Sequence, residues 1–267
     1  MHPPEETRET SWRSYPVLGV HVNVVQILQV VEQMERWIQN RTDGHFISVA
    51  NIHVVMEAQE DPSFKKLINS AALCVPDGMP LIWCGRLRGH VLRRRVYGPE
   101  LMITFCRETA NKGYRHFLYG GAPEVTNQLV NQLQQSCRGI QIAGTDSPPF
   151  RPLTPEEDKE AIRRINEAKP DVLWVGLGCP KQERWIHDHR KQLAVPAIVA
   201  IGQAFDLLSG KKRPAPAWMS ENGLEWLFRL LQDPRRLWRR YLVYNTKFIY
   251  FFSLELLGVK RFDWGKE

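Results

Sequence analysis

Short apolar runs alternate along this chain with longer stretches whose apolar residues recur at helical spacing. The runs Val17–Val22, His45–Ala50, Ala72–Val75, His116–Tyr119, Ile140–Gly144, Val172–Gly176 and Ala197–Ile201 are rich in Val and Ile and predict strands. Between them, Val24–Asn40 places Val24, Ile27, Leu28, Val31, Met34 and Ile38 on one helical face. A second helix is expected over Glu124–Gln135. A third starts at Thr154-Pro155-Glu156-Glu157, with an N-cap residue, Pro at the first helical position and acids in the first turn, and runs to about Ala168 ahead of Pro170. Strands alternating with helices predict an α/β fold, a mostly parallel sheet covered by helices on both faces. Ligands of such sheets bind in the crevice beyond the carboxyl ends of the strands.

From Lys211 the pattern changes. Lys211-Lys212-Arg213-Pro214-Ala215-Pro216 is a basic linker broken by proline. Two helix patterns follow, Ser220–Leu231 and Pro234–Leu257, and Pro234 suits a first helical position. The expected organisation is a ligand-binding core over residues 15–210 and a helical appendage over 211–267. Residues before Tyr15 are polar and expected to be mobile.

Composition narrows the class. Hydrophobic residues make up 43% and charged residues 24% of the 267, an ordinary globular balance that excludes wholesale disorder. The first residues lack a basic segment leading into an apolar one, so no secretory signal is expected. No run of about 18 apolar residues predicts a membrane-spanning helix. The five cysteines form no C-x-x-C pair, which argues against a disulfide framework or zinc site and for a reducing, cytoplasmic setting. Net charge is +7, and residues from Lys211 onward carry 12 Lys and Arg against 6 Asp and Glu, so most of it lies in the appendage. Its partner should be anionic, either membrane phosphates or nucleic acid.

Five segments at strand ends are candidates for chemistry. Val75-Pro76-Asp77-Gly78 puts a carboxylate where a ligand would lie; Asp77 reads as a general base or as a turn residue capping the next helix. Val175-Gly176-Leu177-Gly178-Cys179-Pro180-Lys181-Gln182-Glu183 joins a glycine pair to a helix start, fit either for a phosphate or for tight strand-to-helix packing. Tyr119-Gly120-Gly121-Ala122-Pro123 borders a ligand or makes a simple turn. In Ile201-Gly202-Gln203-Ala204-Phe205-Asp206, Phe205 stacks on a base or fills the core, and Asp206 bonds a ribose or caps a helix. Of Arg93-Arg94-Arg95, one arginine turned inward would serve a diphosphate. Asn51, ending its strand, bonds a ligand or caps a helix. His53 shares helical spacing with no second metal ligand, and no D-x-D string supports a metal–diphosphate clamp.

The appendage interleaves Trp218, Trp226, Trp238, Tyr241, Tyr244, Phe248, Tyr250, Phe251 and Phe252 with Arg229, Arg235, Arg236, Arg239, Arg240 and Lys247. Aromatics and arginines together suit the headgroup layer of an anionic membrane. The apolar run Phe248–Leu257 favours membrane or core packing over nucleic acid.

These segments, in this order, resemble the WecG/TagA/CpsF family of bacterial glycosyltransferases from about Leu18 to Leu257. The resemblance rests on Ala50-Asn51, Val75-Pro76-Asp77-Gly78, Arg95-Val96-Tyr97-Gly98, Gly120-Gly121, Pro170-Asp171, Val175–Trp185, Ala204-Phe205-Asp206 and Gly223–Leu231. It implies a Rossmann-like core and transfer of N-acetylmannosamine, its uronic acid, glucose or a related sugar from a UDP donor. The implied acceptor is a polyprenyl-diphosphate-linked sugar, with inversion and no required metal or other cofactor. It places the base at Asp77 and core polar roles at Asn51, Arg95, Gln182 and Asp206. The donor site is expected to include Gly78, Gly120, Gly121, Gly176, Gly178 and Phe205 as well. The arginines that hold the acceptor's diphosphate fall on Arg229, Arg236 and Arg239. Two positions depart from the pattern. Val49 stands where the family usually has Thr, which implies either a different donor sugar or compensation by the hydroxyl of Ser48, and Gln203 replaces a small residue.

The expectation is therefore an inverting glycosyltransferase, peripheral on the inner face of the plasma membrane, making a cell-surface or exported polysaccharide. The rival readings are a nucleotide-cofactor oxidoreductase, disfavoured because the first strand-to-helix turn lacks the dinucleotide glycine pattern, and a non-enzymatic membrane-binding module. A homo-oligomer is left open.

Overall fold

The computed structural model describes residues 12–263. Most of the segment before Tyr15 and the last four residues of the appendage lie outside the described residues. In chain order the elements are β1 (Ser14–Val17), β2 (Val20–Asn23), α1 (Ile27–Gln39), β3 (His45–Ala50), α2 (Ile52–Glu60), α3 (Pro62–Asn69), β4 (Leu73–Pro76), α4 (Met79–Leu87), α5 (Gly98–Thr109), β5 (Arg115–Gly120) and α6 (Pro123–Ser136). They continue with β6 (Gln141–Asp146), α7 (Pro155–Glu167), β7 (Val172–Gly176), α8 (Lys181–His189), β8 (Ala197–Ala200) and α9 (Ala204–Leu208). The helical C-terminal region comprises α10 (Ala217–Glu221), α11 (Glu225–Gln232), α12 (Pro234–Trp238), a π-helical turn (Arg239–Val243) and α13 (Tyr244–Leu256).

Six strands form a parallel sheet in the order β4-β3-β8-β7-β5-β6. Side chains alternate between its faces, as the strand period of two requires. Phe46, Phe117, Leu173 and Ile198 point to one face, under α2, α3, α7 and α8. Ile47, Leu118, Trp174 and Val199 point to the other, under α1, α5, α6 and α9. Burial on both faces explains why the strands read as continuous apolar runs. The chain leaves β5 outward to β6 and leaves β7 inward to β8, so the direction of winding reverses between these adjacent strands. A crevice opens at such a switch point, at the carboxyl ends.

Gly120 ends β5 there with φ +121°, and a Cβ on it would sit 2.6 Å from the Gly176 carbonyl. The close approach of the two strand ends therefore requires glycine. Gly120→Ala should lower stability by about 2–3 kcal/mol through strain and backbone clash, read as a drop in Tm with a native circular dichroism spectrum.

Two expectations are corrected. Val17–Val22 is not one strand of the main sheet. Leu18 and Gly19 both adopt positive φ and turn the chain into a separate two-stranded antiparallel hairpin. A continuous apolar run hid this turn, because Leu is an unusual residue for such a conformation. Ser220–Leu231 is likewise two helices, broken at Gly223 with φ +73°. The pattern over Pro234–Leu257 is helical from Pro234 to Leu256, with the π turn inserted at Arg239–Val243. Thr154 caps α7 as expected, in a reciprocal bond with Glu157.

The C-terminal region packs on the core. Phe248 is buried, Arg88 pairs with Glu255 at 2.6 Å, and the Tyr244 hydroxyl donates to Glu57 at 2.9 Å. The region leaves Trp218, Trp238, Leu242, Ile249, Tyr250, Leu256 and Leu257 exposed. No helix among the described residues is long and apolar enough to cross a membrane.

Candidate active site

Two cavities of opposite character meet beneath the C-terminal region. The first, about 500 Å³, lies over the carboxyl ends of the strands. Its lining includes Gly121, Gly176, Gly178, Gln182, Gln203, Phe205, Asp206, Lys211, Lys212 and Arg236. The second, about 590 Å³, lies between α4 and the C-terminal helices and is largely apolar, with Trp83, Leu87, Trp226, Leu242, Ile249 and Phe252 on its walls. Asn51, Asp77, Arg229, Arg240 and Tyr241 line both, and so mark the junction.

Asp77 follows β4, anchored by its own N–H donating to the Ala50 carbonyl at 2.7 Å. Its side chain does not cap α4: the N-cap position is Gly78 and receives no side-chain bond. Instead the carboxylate lies at the junction, 4.0 Å from the Arg95 guanidinium. Burial pushes its pKa up to about 6; Arg95 pulls it down, Glu225 pushes it up, and Arg229 and the Asn51 amide pull it down. Being buried, one carboxylate oxygen has no hydrogen-bond partner in the protein. An ionisable carboxylate with an open acceptor, titrating near neutrality, is suited to take a proton from a hydroxyl.

Arg95 is the arginine of its triplet that turns inward, while Arg94 is exposed. Its guanidinium stacks on Tyr97 at 4.0 Å and forms an ion pair with Glu225 at 2.5 Å. Glu225 is buried and also pairs with Arg229, one helical turn on in α11. Asp77, Glu225, Arg95 and Arg229 thus form a charge-balanced quartet joining the strand ends to the C-terminal region.

Asn51 caps α2 by accepting from the His53 and Val54 N–H groups, and its amide also faces Asp77. Gln182 accepts from the Gly178 N–H at 3.1 Å and donates to Glu183 at 2.8 Å, fixing the glycine loop ahead of α8. Burial pushes the Glu183 carboxyl up to about 7. Phe205 is buried in the cleft floor, its ring filling the space beneath Gly121 and Gly176. Asp206 accepts from Lys212 at 2.6 Å and so holds the basic linker against the cleft. Gly78 faces the apolar cavity. The structure does not bring Gly120 or Arg239 to either cavity: Gly120 is buried and Arg239 is exposed. Ser48 is fully buried without facing the cleft, whereas Val49 lines it, so Ser48 does not replace the hydroxyl missing at Val49. Among the described residues, no three His, Cys, Asp or Glu side chains gather as a metal site.

Sequence reasoning gave Glu225, Tyr241 and Arg240 no place in the site. An i, i+4 Glu225–Arg229 pair was visible in the chain. Arg240 stands four residues after Arg236, also on one helical face, and this spacing was the available signal.

A parallel α/β sheet with a polar cleft at its carboxyl edge, joined at a buried carboxylate to an apolar groove, defines an enzyme of the group-transfer class. The description "Glycosyl transferase WecG/TagA/CpsF family" matches residues 15–261. The chain is 30% identical over 217 residues to an N-acetylglucosaminyldiphosphoundecaprenol N-acetyl-beta-D-mannosaminyltransferase of Bacillus spizizenii, covering 81% of this chain and 82% of that one. It is 31% identical over 225 residues to a protein of the same name from Staphylococcus aureus, covering 84% and 86%. The chain belongs to the WecG/TagA/CpsF family and is a glycosyltransferase. The oxidoreductase and non-enzymatic readings give way to this assignment.

Proposed function

We propose that this enzyme moves a hexose or N-acetylhexosamine from a UDP donor to a polyprenyl-diphosphate-linked sugar, with inversion and without a required metal. The donor sugar is of the N-acetylmannosamine type, its uronic acid, or glucose. The relatives' names support the acceptor class, a diphosphoundecaprenol-linked N-acetylglucosamine, and an N-acetylmannosamine-type donor sugar; the setting we infer is cell-surface or exported polysaccharide synthesis. The observation that carries the reading is the meeting of a polar and an apolar cavity at Asp77. A nucleotide fits the first, a lipid-borne sugar enters through the second, and their reacting atoms meet at the base.

In the reaction, an acceptor hydroxyl attacks the donor's anomeric carbon from the face opposite the diphosphate. The new C–O bond forms as the anomeric C–O bond to the diphosphate breaks. UDP leaves with that electron pair, and the hydroxyl proton passes to Asp77. The Gly176–Gly178 loop and the start of α8 border the donor phosphates, and Arg95 stands beside Asp77 on the side of the apolar cavity. Asn51, Gly121, Gln182, Phe205 and Asp206 shape the donor side, Gly78 borders the acceptor side, and Gly120 lets the two strand ends close. Arg229, at the junction of the two cavities, meets the acceptor's diphosphate, while Arg236 lines the polar cavity and Arg239 reaches neither.

The core over 15–210 holds the donor and the appendage over 211–267 presents the lipid acceptor. The exposed aromatic and aliphatic side chains of that appendage, set among arginines, rest on the anionic inner face of the plasma membrane. A panel of UDP-sugars with a short-chain polyprenyl-diphosphate-GlcNAc acceptor tests the reading. One or two donors should release UDP only when acceptor is present, with a product heavier by one sugar. Acceptor-independent UDP release, or no turnover with any donor, would defeat it.

A further inference from the structure

The arginines that line the two cavities are Arg95, Arg151, Arg229, Arg236 and Arg240. Four of them already have a carboxylate. Arg95 and Arg229 share Glu225, Arg151 holds Glu157, and Arg236 holds Asp233. Among the described residues, Arg240 has no carboxylate within ion-pairing reach, and its Nε is buried with no hydrogen-bond partner there. Its surroundings do not compensate it. Glu183, a buried acid that feels its charge, is itself pushed toward its neutral form by burial and accepts from Gln182. Burial disfavours the charged guanidinium, Tyr241 and Cys179 offset this only in part, and Arg229 and Arg236 add repulsion. A buried cation left without a counter-ion costs stability. Such a group is kept where an arriving anion supplies the missing charge.

Position says which anion. Arg240 lies at the junction with Asp77, on the side of the glycine loop, where it faces Cys179. The donor's diphosphate is bonded directly to the anomeric carbon that Asp77's substrate hydroxyl attacks. The acceptor's diphosphate is separated from the attacking hydroxyl by the width of a sugar ring. A cation beside the base therefore stands closer to the leaving diphosphate than to the acceptor's. Arg240 also sits in the π turn Arg239–Val243, a local widening that often re-aims side chains at functional sites.

We propose that Arg240 binds the β-phosphate of the nucleoside diphosphate and neutralises the charge that grows on it as the sugar departs. This rests on the UDP-donor reading above. Titration calorimetry of the full-length enzyme with UDP and with UMP, for wild type, Arg240→Gln and Arg240→Lys, tests it. Arg240→Gln should weaken UDP by ~10–100-fold, the worth of one charge-assisted contact, and leave UMP within ~3-fold of wild type. Arg240→Lys should fall between. Tm should hold or rise in Arg240→Gln, because an uncompensated buried charge is removed. Unchanged UDP affinity in Arg240→Gln overturns the proposal, and a raised acceptor KM alongside it would move the contact to the acceptor. Equal weakening of UDP and UMP with a lowered Tm also overturns it, marking a structural strut. Wild-type enzyme that binds no UDP defeats the donor reading itself, and this inference with it.

Discussion

Asp77→Asn is expected to lower kcat by ~10²–10⁴-fold, the usual worth of a positioned general base. The amide keeps the shape of the carboxylate but cannot accept the proton that the attacking hydroxyl must lose. Donor affinity should change little, because in the proposed reaction the donor's phosphates are held away from this carboxyl. In wild type, kcat/KM should rise with pH and level off above about 6, where the buried Asp77 becomes ionised. The stability sign runs the other way. A carboxyl whose folded pKa lies above its ordinary value of 3.8 makes the folded state hold its proton longer than the unfolded chain does. Its contribution to stability is full at low pH and is lost as pH rises through the window from 3.8 to about 6. Asp77→Asn should flatten that slope while leaving the spectrum of the folded protein unchanged. Residual activity above roughly a tenth of wild type, in a variant that binds UDP normally, would remove Asp77 from the role of base.

Much of the core was legible because parallel strands buried on both faces read as apolar runs with sharp ends, as His45–Ala50 and Val172–Gly176 do. The hairpin at Leu18-Gly19 was not, since its turn uses Leu in a conformation that pattern reading assigns to Gly or Asn. In the site, the order of strand-end motifs pointed to Asp77, Asn51 and Gln182, and the structure brings all three to the two cavities. Single positions left each of them ambiguous with a cap or a turn. Asn51 proves to cap α2 while also facing Asp77, whereas Asp77 caps nothing. What could not be read was pairing across the chain. Glu225 lies far in sequence from Arg95 and Asp77, and only folding of the C-terminal region onto the strand ends places its carboxylate between two arginines. Arg239 and Arg240 are likewise indistinguishable by residue type. The helical path through the π turn leaves the first exposed and carries the second into the cavity.

Glu225 therefore gives the second large effect. Glu225→Ala should cost about 3–5 kcal/mol of stability, because it strands two substantially buried guanidinium groups together. Loss of their common anchor lets Arg95 and the C-terminal region shift relative to Asp77, and a misplacement of about 1 Å is worth ~10²-fold in kcat/KM. Glu225→Gln separates the electrostatic part from the structural one, since it keeps the volume and one acceptor oxygen but removes the charge. The groups facing Asp77 are then Arg95, Arg229, Asn51 and Tyr97. The negative charge that raises the Asp77 pKa is gone, while the two cations that lower it remain. The acid limb of the kcat/KM profile should accordingly move below its wild-type position near 6. A role confined to holding the helix in place would lower Tm and leave that limb where it was. A shift to higher pH would mean that Glu225 orients the arginines toward Asp77 more than its own charge opposes ionisation there, and the quartet would have to be reassigned.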